Sequence, residues 1–410
     1  MSAIRITDSV FWTGALLPSL RKADVIVDLK YGTTINAYLV RGRQKTALID
    51  TILPDAIDEL RENLRSVSDL PVDYIILNHA EPDHSGALLQ VMERFPRAEI
   101  LATPTAAHYL RQILNRPLDI HLTRDGEELD LGGLTLRFMH TPFLHWADTQ
   151  MTYCPEERVL FPCDFLAAHF CEPRLFSDRI QFTKEYDECF NLFYTAIMSP
   201  FKSHVMAGLT RLQGLPMRYV CPSHGPVLVG DHIARAITRY RTWSLPNPRR
   251  DPVVTVFYVS AYGCTAALAE QIVQGIRSGL EGGIVSSYDL IDTRYELPGL
   301  KAILADSDAF LIGSPTINRD ATAPAWQLLL GVDAIHSRQK LASAFGSFGW
   351  SGEAVPMLIE RLKSLSFDVR DEGCTVCFVP TRDDLKAAYE FGKVFGRNVA
   401  QRGRAGGLEA

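Results

Sequence analysis

Little in this 410-residue chain is extreme, and each missing feature removes a class of function. No apolar run approaches the ~20 residues that span a bilayer as a helix. The N-terminal MSAIRITDSVFW lacks a signal-peptide pattern. Together these absences predict a cytoplasmic protein that engages no membrane. A formal charge of -6 offers no attraction to nucleic acid. The eight cysteines are scattered, which argues for reduced thiols rather than a disulfide framework. Only Cys374 and Cys377 form a CxxC, and one such pair cannot build a four-thiolate metal site. In the strand-like run CTVCFVP the two side chains would point to opposite faces, so plain packing is expected. There is no internal repeat, no GxGxxG and no P-loop.

What remains is the composition of a soluble globular protein, 47% hydrophobic and 22% charged, in a chain long enough for two or three cores. TINAYLV (34–40), TALIDT (46–51) and DYIILN (73–78) read as strands. Helical patterns follow at 54–65, 86–94, 105–114 and near 190–212. GEELDLGGLTLRFMH (126–140) reads as a β-hairpin. This interleaving predicts an α/β layered domain over residues 1–246. The seam is SLPNPRRDP (244–252), with three prolines and a charge cluster. Beyond it, VVTVFYVS, DAFLIGSP and LASAFGSFG are apolar strands that each end in a small-residue loop. The helix TAALAEQIVQGIRSGL (265–280) follows the first of them. They predict a doubly wound parallel sheet over 253–400, followed by a flexible tail, QRGRAGGLEA, at 401–410.

The chemistry gathers in NHAEPDHSGAL. His79, Glu81, Asp83 and His84 fall within six residues, directly after an apolar run. A solvated turn would explain them, but partners recur at other strand ends. His145 lies in HTPFLHWADTQ, Asp164 in VLFPCDFLAAH and His224 in YVCPSHGP. Carboxyl ends of strands are where α/β folds assemble sites. Seven such residues can supply two metal ions, with one carboxylate shared as a bridge. Among the other histidines, His108, His121, His204, His232 and His336 suit surface or packing roles, and His140 a structural one.

The pattern HxExDH with His145, Asp164 and His224 resembles the metallo-β-lactamase fold as used by flavodiiron proteins. Hydrolases of that fold carry HxHxDH, with His where this chain has Glu81. A carboxylate there adds negative charge and a hard oxygen donor, which suits iron more than zinc. The resemblance implies that His79, Glu81 and His145 hold one iron and Asp83, His84 and His224 the other, with Asp164 bridging. It places His169 beside the substrate pocket, behind the residues that would hold the metal.

SAYGCTAALA (260–269) sits between a strand and a helix, a place where backbone N–H groups meet an anion. Alone it is no more than an N-cap. With GSPTINRDATAP and FGSFGWSGEAV after the next strands, it resembles the flavodoxin-like FMN domain of the same family. By that resemblance Ser260, Tyr262, Gly263, Cys264 and Thr265 surround the phosphate. Ser314, Pro315, Thr316, Ile317 and Asn318, then Ser347, Phe348, Gly349 and Trp350, lie along the flavin ring. The implied architecture is a metallo-β-lactamase-like αββα sandwich followed by a flavodoxin-like doubly wound sheet. The resemblance covers residues 5 to 400. It departs at 15–34, which lacks the Asp-Trp and Phe-His-Gly elements expected before the Gly-Thr-Thr turn; this bears on the pocket wall, not on the ligands.

The resemblance implies a two-domain oxidoreductase that reduces dioxygen to water, or nitric oxide to nitrous oxide, at a diiron site fed by FMN. It implies a head-to-tail homodimer. With no rubredoxin module or flavin reductase domain expected in the chain, a separate rubredoxin or flavin reductase would be the donor. The alternative is a metal-dependent hydrolase with an attached flavodoxin-like domain. Glu81 and the flavin loops oppose it.

Overall fold

The computed structural model describes residues 2–23, 27–67, 71–245, 251–280, 282–330, 332, 337 and 339–406. It divides into two compact units, Met1–Pro246 and Asn247–Ala410. The middle of the proline-rich seam (246–250), His336 and the last four residues (407–410) lie outside the described residues.

The first unit is built on two sheets. One holds β1 (Ile4–Arg5), β2 (Val10–Trp12), β3 (Tyr38–Arg41), β4 (Thr46–Ile49), β5 (Tyr74–Leu77), β6 (Glu99–Ala102) and β7 (Ile120–Leu122), in that spatial order. It is antiparallel as far as β4 and parallel from β4 to β7. The other holds β8 (Glu128–Asp130), β9 (Thr135–His140), β10 (Gln150–Cys154), β11 (Val159–Phe161), β12 (Tyr219–Val220) and β13 (Leu228–Val229). The period of two along a strand sorts the apolar side chains. In β5, Ile76 joins the core between the sheets with Trp12, Tyr38, Phe138 and Phe161. Its neighbours Ile75 and Leu77 face outward against Leu60, Leu64 and Leu110 of the helices Ile57–Val67 and Pro104–Ile113. On the far side of the second sheet, Phe165 packs with Phe190, Leu209 and Tyr240 of the helices Thr183–Phe193, Lys202–Arg211 and Asp231–Ser244. Each fully buried aromatic of this kind contributes about 1.5–3 kcal/mol. The layers are α, β, β, α.

Local structure departs from the sequence reading in places with clear causes. TINAYLV is not one strand, because Thr33–Ile35 pairs with Ala15–Leu17 while β3 joins the large sheet. Between them Asn36 leaves the ladder, and its side-chain amide donates to the carbonyls of Pro222 (2.7 Å) and Gly225 (2.9 Å), fixing the loop around His224. The helix expected near 190–212 begins earlier, at Thr183, and is broken near Pro200, whose ring cannot continue a helical ladder.

The second unit carries β14 (Val253–Tyr258), β15 (Ile284–Asp289), β16 (Ala309–Gly313), β17 (Leu341–Phe348) and β18 (Cys374–Cys377). All pairs are parallel, in the order β15-β14-β16-β17-β18. This is the flavodoxin-like arrangement, with helices on both faces. Residues 401–406, expected to be flexible, continue the last helix, Arg382–Gly406. Edge strand β18 holds Cys374 half-buried against the core, but Cys377 is exposed, so packing accounts for only one of the pair. No helix among the described residues is long and apolar enough to cross a membrane.

The helix α1 (Cys264–Leu280) lies against α2 (Arg382–Gly406) through glycines on both. A Cβ at Gly279 would stand 2.1 Å from the Lys393 carbonyl oxygen, and one at Gly275 would stand 2.0 Å from that of Tyr389. Gly279→Ala should therefore cost about 1–3 kcal/mol in the second unit. Thermal unfolding followed by circular dichroism should show a lower midpoint for the second unit, with that of the first unit unchanged.

Candidate metal centre and flavin cradle

Strand β5 delivers the first cluster. Its ladder ends at Leu77, and Pro82 then opens a single helical turn, Pro82–Ser85, that carries Asp83 and His84. From the second sheet, His145 comes from the β9–β10 connection, Asp164 follows β11, and His224 lies between β12 and β13. The seven side chains converge between the two sheets. His79, His84, Asp164 and His224 are at most 3% exposed.

The geometry separates them into two sets around one carboxylate. Glu81 Oε2 stands 3.0 Å from His79 Nε2 and 3.2 Å from His145 Nε2, and Asp164 Oδ2 lies 3.9 and 3.7 Å from the same two nitrogens. Asp164 Oδ1 instead faces His84 Nε2 and His224 Nε2, both at 3.3 Å, beside Asp83. Asp83 itself lies 3.4 Å from the first and 3.2 Å from the second. Both ring nitrogens of His84, Asp83 Oδ1 and Asp164 Oδ1 are buried without a hydrogen-bond partner. Unpaired buried polar atoms are costly. Three carboxylates and four imidazoles, aimed at two points with several of their donor atoms unsatisfied, suit two hard-to-borderline cations.

Three residues outside the sequence-derived set orient these rings. His79 Nδ1 donates to Asp148 Oδ2 at 3.0 Å, and the same oxygen accepts the Ala80 N–H at 2.8 Å. Asp50 Oδ2 lies 3.8 Å from His84 Nδ1. His224 Nδ1 donates to the Thr34 carbonyl at 2.9 Å. Each of these contacts leaves Nε2 to point at the centre. Asp148 and Asp50 could have been suspected, since both stand in polar turns beside apolar strands. No spacing rule marks Thr34, which acts through its backbone. Cys163 also lies near His84 and Asp50, but burial pushes its thiol well above the ordinary range, so it stays protonated.

Without cations the cluster is an array of ion pairs. Burial opposes charge on His79, yet Asp148 and Glu81 overcome it and raise its pKa to about 9. Burial likewise opposes charge on His224, and Asp164 and Asp83 raise its pKa to about 10. Burial works to raise the Glu81 pKa, but His145 and His79 hold it down at about 2. His169 goes the other way. Burial, then the neighbouring His224, lowers its pKa to about 3, so the ring is neutral.

A cavity of about 260 Å³ opens on the cluster. Glu81, Asp83, His145, Asp164 and His224 reach it, while His79 and His84 stay behind them. Leu20, Ala23, Ile35, Leu53, Phe193 and Ile197 make the wall largely apolar, and His169 lies on it. Leu20, Lys22, Ala23 and Thr33 belong to the divergent stretch 15–34, which does supply part of the pocket wall.

The second unit has its own cradle at the carboxyl ends of β14, β16 and β17. A cavity of about 180 Å³ is lined by Ser260, Tyr262, Cys264, Thr265, Pro315, Thr316, Ile317, Ser347, Phe348 and Gly349. Helix α1 starts at Cys264 and turns its N-terminal N–H groups toward the loop that a phosphate would occupy. Ser260 Oγ accepts the Ala266 N–H at 3.1 Å, and Thr265 Oγ1 lies 2.9 Å from Ser347 Oγ. Gly263, Ser314, Asn318 and Trp350 do not line this cavity. Gly263 takes φ +82 to make the turn, and Ser314 is buried and holds Thr322 instead (3.0 Å). Trp350 is 98% exposed, so it stands clear of any local core. Sequence reasoning missed Ala261 and Phe378, which both line the cavity. A Cβ on Gly349 would meet the Phe378 ring at 2.9 Å, so the glycine is what admits it.

A two-metal β-lactamase-type sandwich followed by a flavodoxin sheet defines a class of metalloflavoprotein. Residues 33–225 match the family described as ODP family beta lactamase, and 256–392 match Flavodoxin. The chain is 43% identical over 403 residues to the flavo-diiron protein FprA2 of Clostridium acetobutylicum, covering 97% of this chain and 100% of that one. It is 32% identical to a nitric oxide reductase of Moorella thermoacetica, over 97% of this chain and 99% of the other. The structure of rubredoxin oxygen:oxidoreductase from Desulfovibrio gigas superposes with a TM-score of 0.70 at 28% identity, covering 98% of this chain and 99% of that one. The chain belongs to the flavodiiron protein family.

Two outcomes follow from the geometry. Asp148→Asn removes the carboxylate that orients His79 and should weaken iron binding about 10–100-fold, read as iron retained after dialysis against a chelator. Iron must also displace the protons that the raised pKa values of His79 and His224 keep on those rings below about pH 9. Apparent ferrous affinity of the metal-free protein should therefore rise from about pH 6 to about pH 9, with proton release on binding, measurable by calorimetry in buffers of different ionisation enthalpy.

Proposed function

We propose that this chain is a flavodiiron oxidoreductase that reduces dioxygen to water, nitric oxide to nitrous oxide, or both. The observation that carries the reading is the Asp164 carboxylate, whose two oxygens face two different sets of histidine and carboxylate donors. His79, Glu81 and His145 would hold one iron, Asp83, His84 and His224 the other, and Asp164 would be the carboxylate they share. When bound, the two irons supply adjacent reducing equivalents and FMN replenishes them.

The protein's own residues set the conditions for that chemistry. Asp148 and the Thr34 carbonyl hold the ring planes of His79 and His224 by hydrogen bonds, and the Asp50 carboxylate stands 3.8 Å from His84 Nδ1, so little reorganisation accompanies a change of charge. Glu81, Asp83 and Asp164 offset the cationic charge inside a buried pocket. The apolar wall keeps bulk water away and admits a small neutral diatomic. In the second unit, the start of α1 would take the FMN phosphate, and Pro315, Ile317 and Gly349, which line the cavity, would border the ring. A hydrolase would need a water aimed at an ester or phosphodiester. Glu81 within the donor set, and a flavin cradle in the same chain, disfavour that reading.

The working unit is a head-to-tail homodimer that brings the flavin of one copy to the metal centre of the other. A rubredoxin or a flavin reductase supplies its electrons. All eight cysteines are unpaired, which supports a reducing, cytoplasmic setting. Asp164→Ala should abolish gas consumption while leaving FMN stoichiometry unchanged, as measured with oxygen and nitric oxide electrodes on the reduced protein. Full turnover by an iron-loaded Asp164→Ala variant would refute the bridge.

A further inference from the structure

We propose that His169, set by Thr33, is the hydrogen-bonding partner that the cavity wall offers to a diatomic held at the metal centre, and that it tunes the choice between dioxygen and nitric oxide. The inference rests on the function proposed above and adds a specificity-determining residue to it. Apart from candidate metal ligands, the polar side chains on the described wall are Lys22, Thr33 and His169. Lys22 is half exposed and pairs with Asp28 at 2.6 Å, so its charge is engaged at the rim. Thr33 is 2% exposed, and its hydroxyl is already shared between two protein groups. That leaves the His169 ring. Its Nε2 has no hydrogen-bond partner among the described residues.

The ring is held on three sides. Nδ1 lies 3.0 Å from Thr33 Oγ1, Phe193 packs edge-on at a centroid distance of 4.9 Å, and the His224 ring lies at 4.8 Å. The Thr33 hydroxyl also lies 3.1 Å from the Thr34 carbonyl, the group that accepts from His224 Nδ1. One hydroxyl hydrogen therefore has two possible acceptors. When it turns to Thr34, Oγ1 accepts Nδ1–H and the His169 Nε2 lone pair is offered to the cavity. When it turns to Nδ1, Nε2–H becomes a donor. A neutral imidazole thus serves either as donor or as acceptor without acquiring a charge in an apolar pocket. A donor suits a diatomic that gathers negative charge, and an acceptor suits departing water. The two gases differ in how many protons and product waters each turnover involves, so the balance between them should depend on this pair.

The test uses the iron- and FMN-loaded full chain with His169→Phe, Thr33→Val and Thr33→Ser. Azide is titrated into the diferric protein and followed by its absorption band, and turnover is measured with each gas. His169→Phe should keep its iron, weaken azide binding by about tenfold and change the ratio of dioxygen to nitric oxide turnover. Thr33→Val keeps the ring but leaves Nδ1 without its hydroxyl partner, and should shift azide affinity and the turnover ratio in the same direction. Thr33→Ser restores the hydroxyl and should return both to wild-type values. Wild-type azide affinity and an unchanged ratio in His169→Phe would overturn the proposal. So would a Thr33→Ser variant that behaves like Thr33→Val, since that would reduce Thr33 to packing. If the loaded wild type consumes neither gas, the function proposed above fails, and the azide titration alone then decides whether His169 contacts a ligand of the centre.

Discussion

Everything in the first unit answers to one shared carboxylate. Asp164 turns one oxygen toward His79 and His145 and the other toward His84 and His224. The first sheet brings His79, Glu81, Asp83 and His84 at the end of β5, and the second brings His145, Asp164 and His224. Their meeting depends on the inter-sheet core of Trp12, Tyr38, Ile76, Phe138 and Phe161. A slip of one residue in β11 would turn Phe161 out of that core and carry Asp164 out of line with its partners. Packing and site geometry are a single constraint here.

The cost of this arrangement is concentrated charge. Buried groups such as His79, His84, Asp164 and His224 are tolerable only when paired, and several donor atoms of the cluster have no hydrogen-bond partner among the described residues. Cations would satisfy those atoms, so metal binding and stability of the first unit are thermodynamically linked. The orienting contacts from Asp148, Asp50 and Thr34 hold the rings in place before any metal arrives. The site is preorganised at the expense of the metal-free state.

Much of this was legible from spacing alone. His79, Glu81, Asp83 and His84 crowd six positions after an apolar run, and the three later ligands each follow a strand-like segment. A strand end is a local feature, and local features survive in sequence. The small-residue loops of the second unit announced a flavin cradle in the same way, and most of their residues do line one cavity. Gly263, Ser314, Asn318 and Trp350 were grouped with them by the family resemblance, and these four do not line that cavity. The splitting of TINAYLV at Asn36 was not anticipated, because it depends on contacts with Pro222 and Gly225 distant in the chain, whereas the break in the helix near Pro200 has a local cause in the proline itself.

The amino-acid order by itself determined the two-domain plan, the seven candidate ligands and the loops of the flavin cradle. These are set by periodicity, turn chemistry and residue type, which act over a few residues. The division of the ligands around Asp164 and the bearing of residues 15–34 on the pocket wall came from the family resemblance, and only the tertiary structure gave the distances behind them and the groups that orient the rings. Asp148, Asp50, the Thr34 carbonyl, Thr33 and His169 matter through distances of 3–4 Å between segments up to 190 residues apart. No local pattern encodes such distances, since they arise only when two sheets pack with one register.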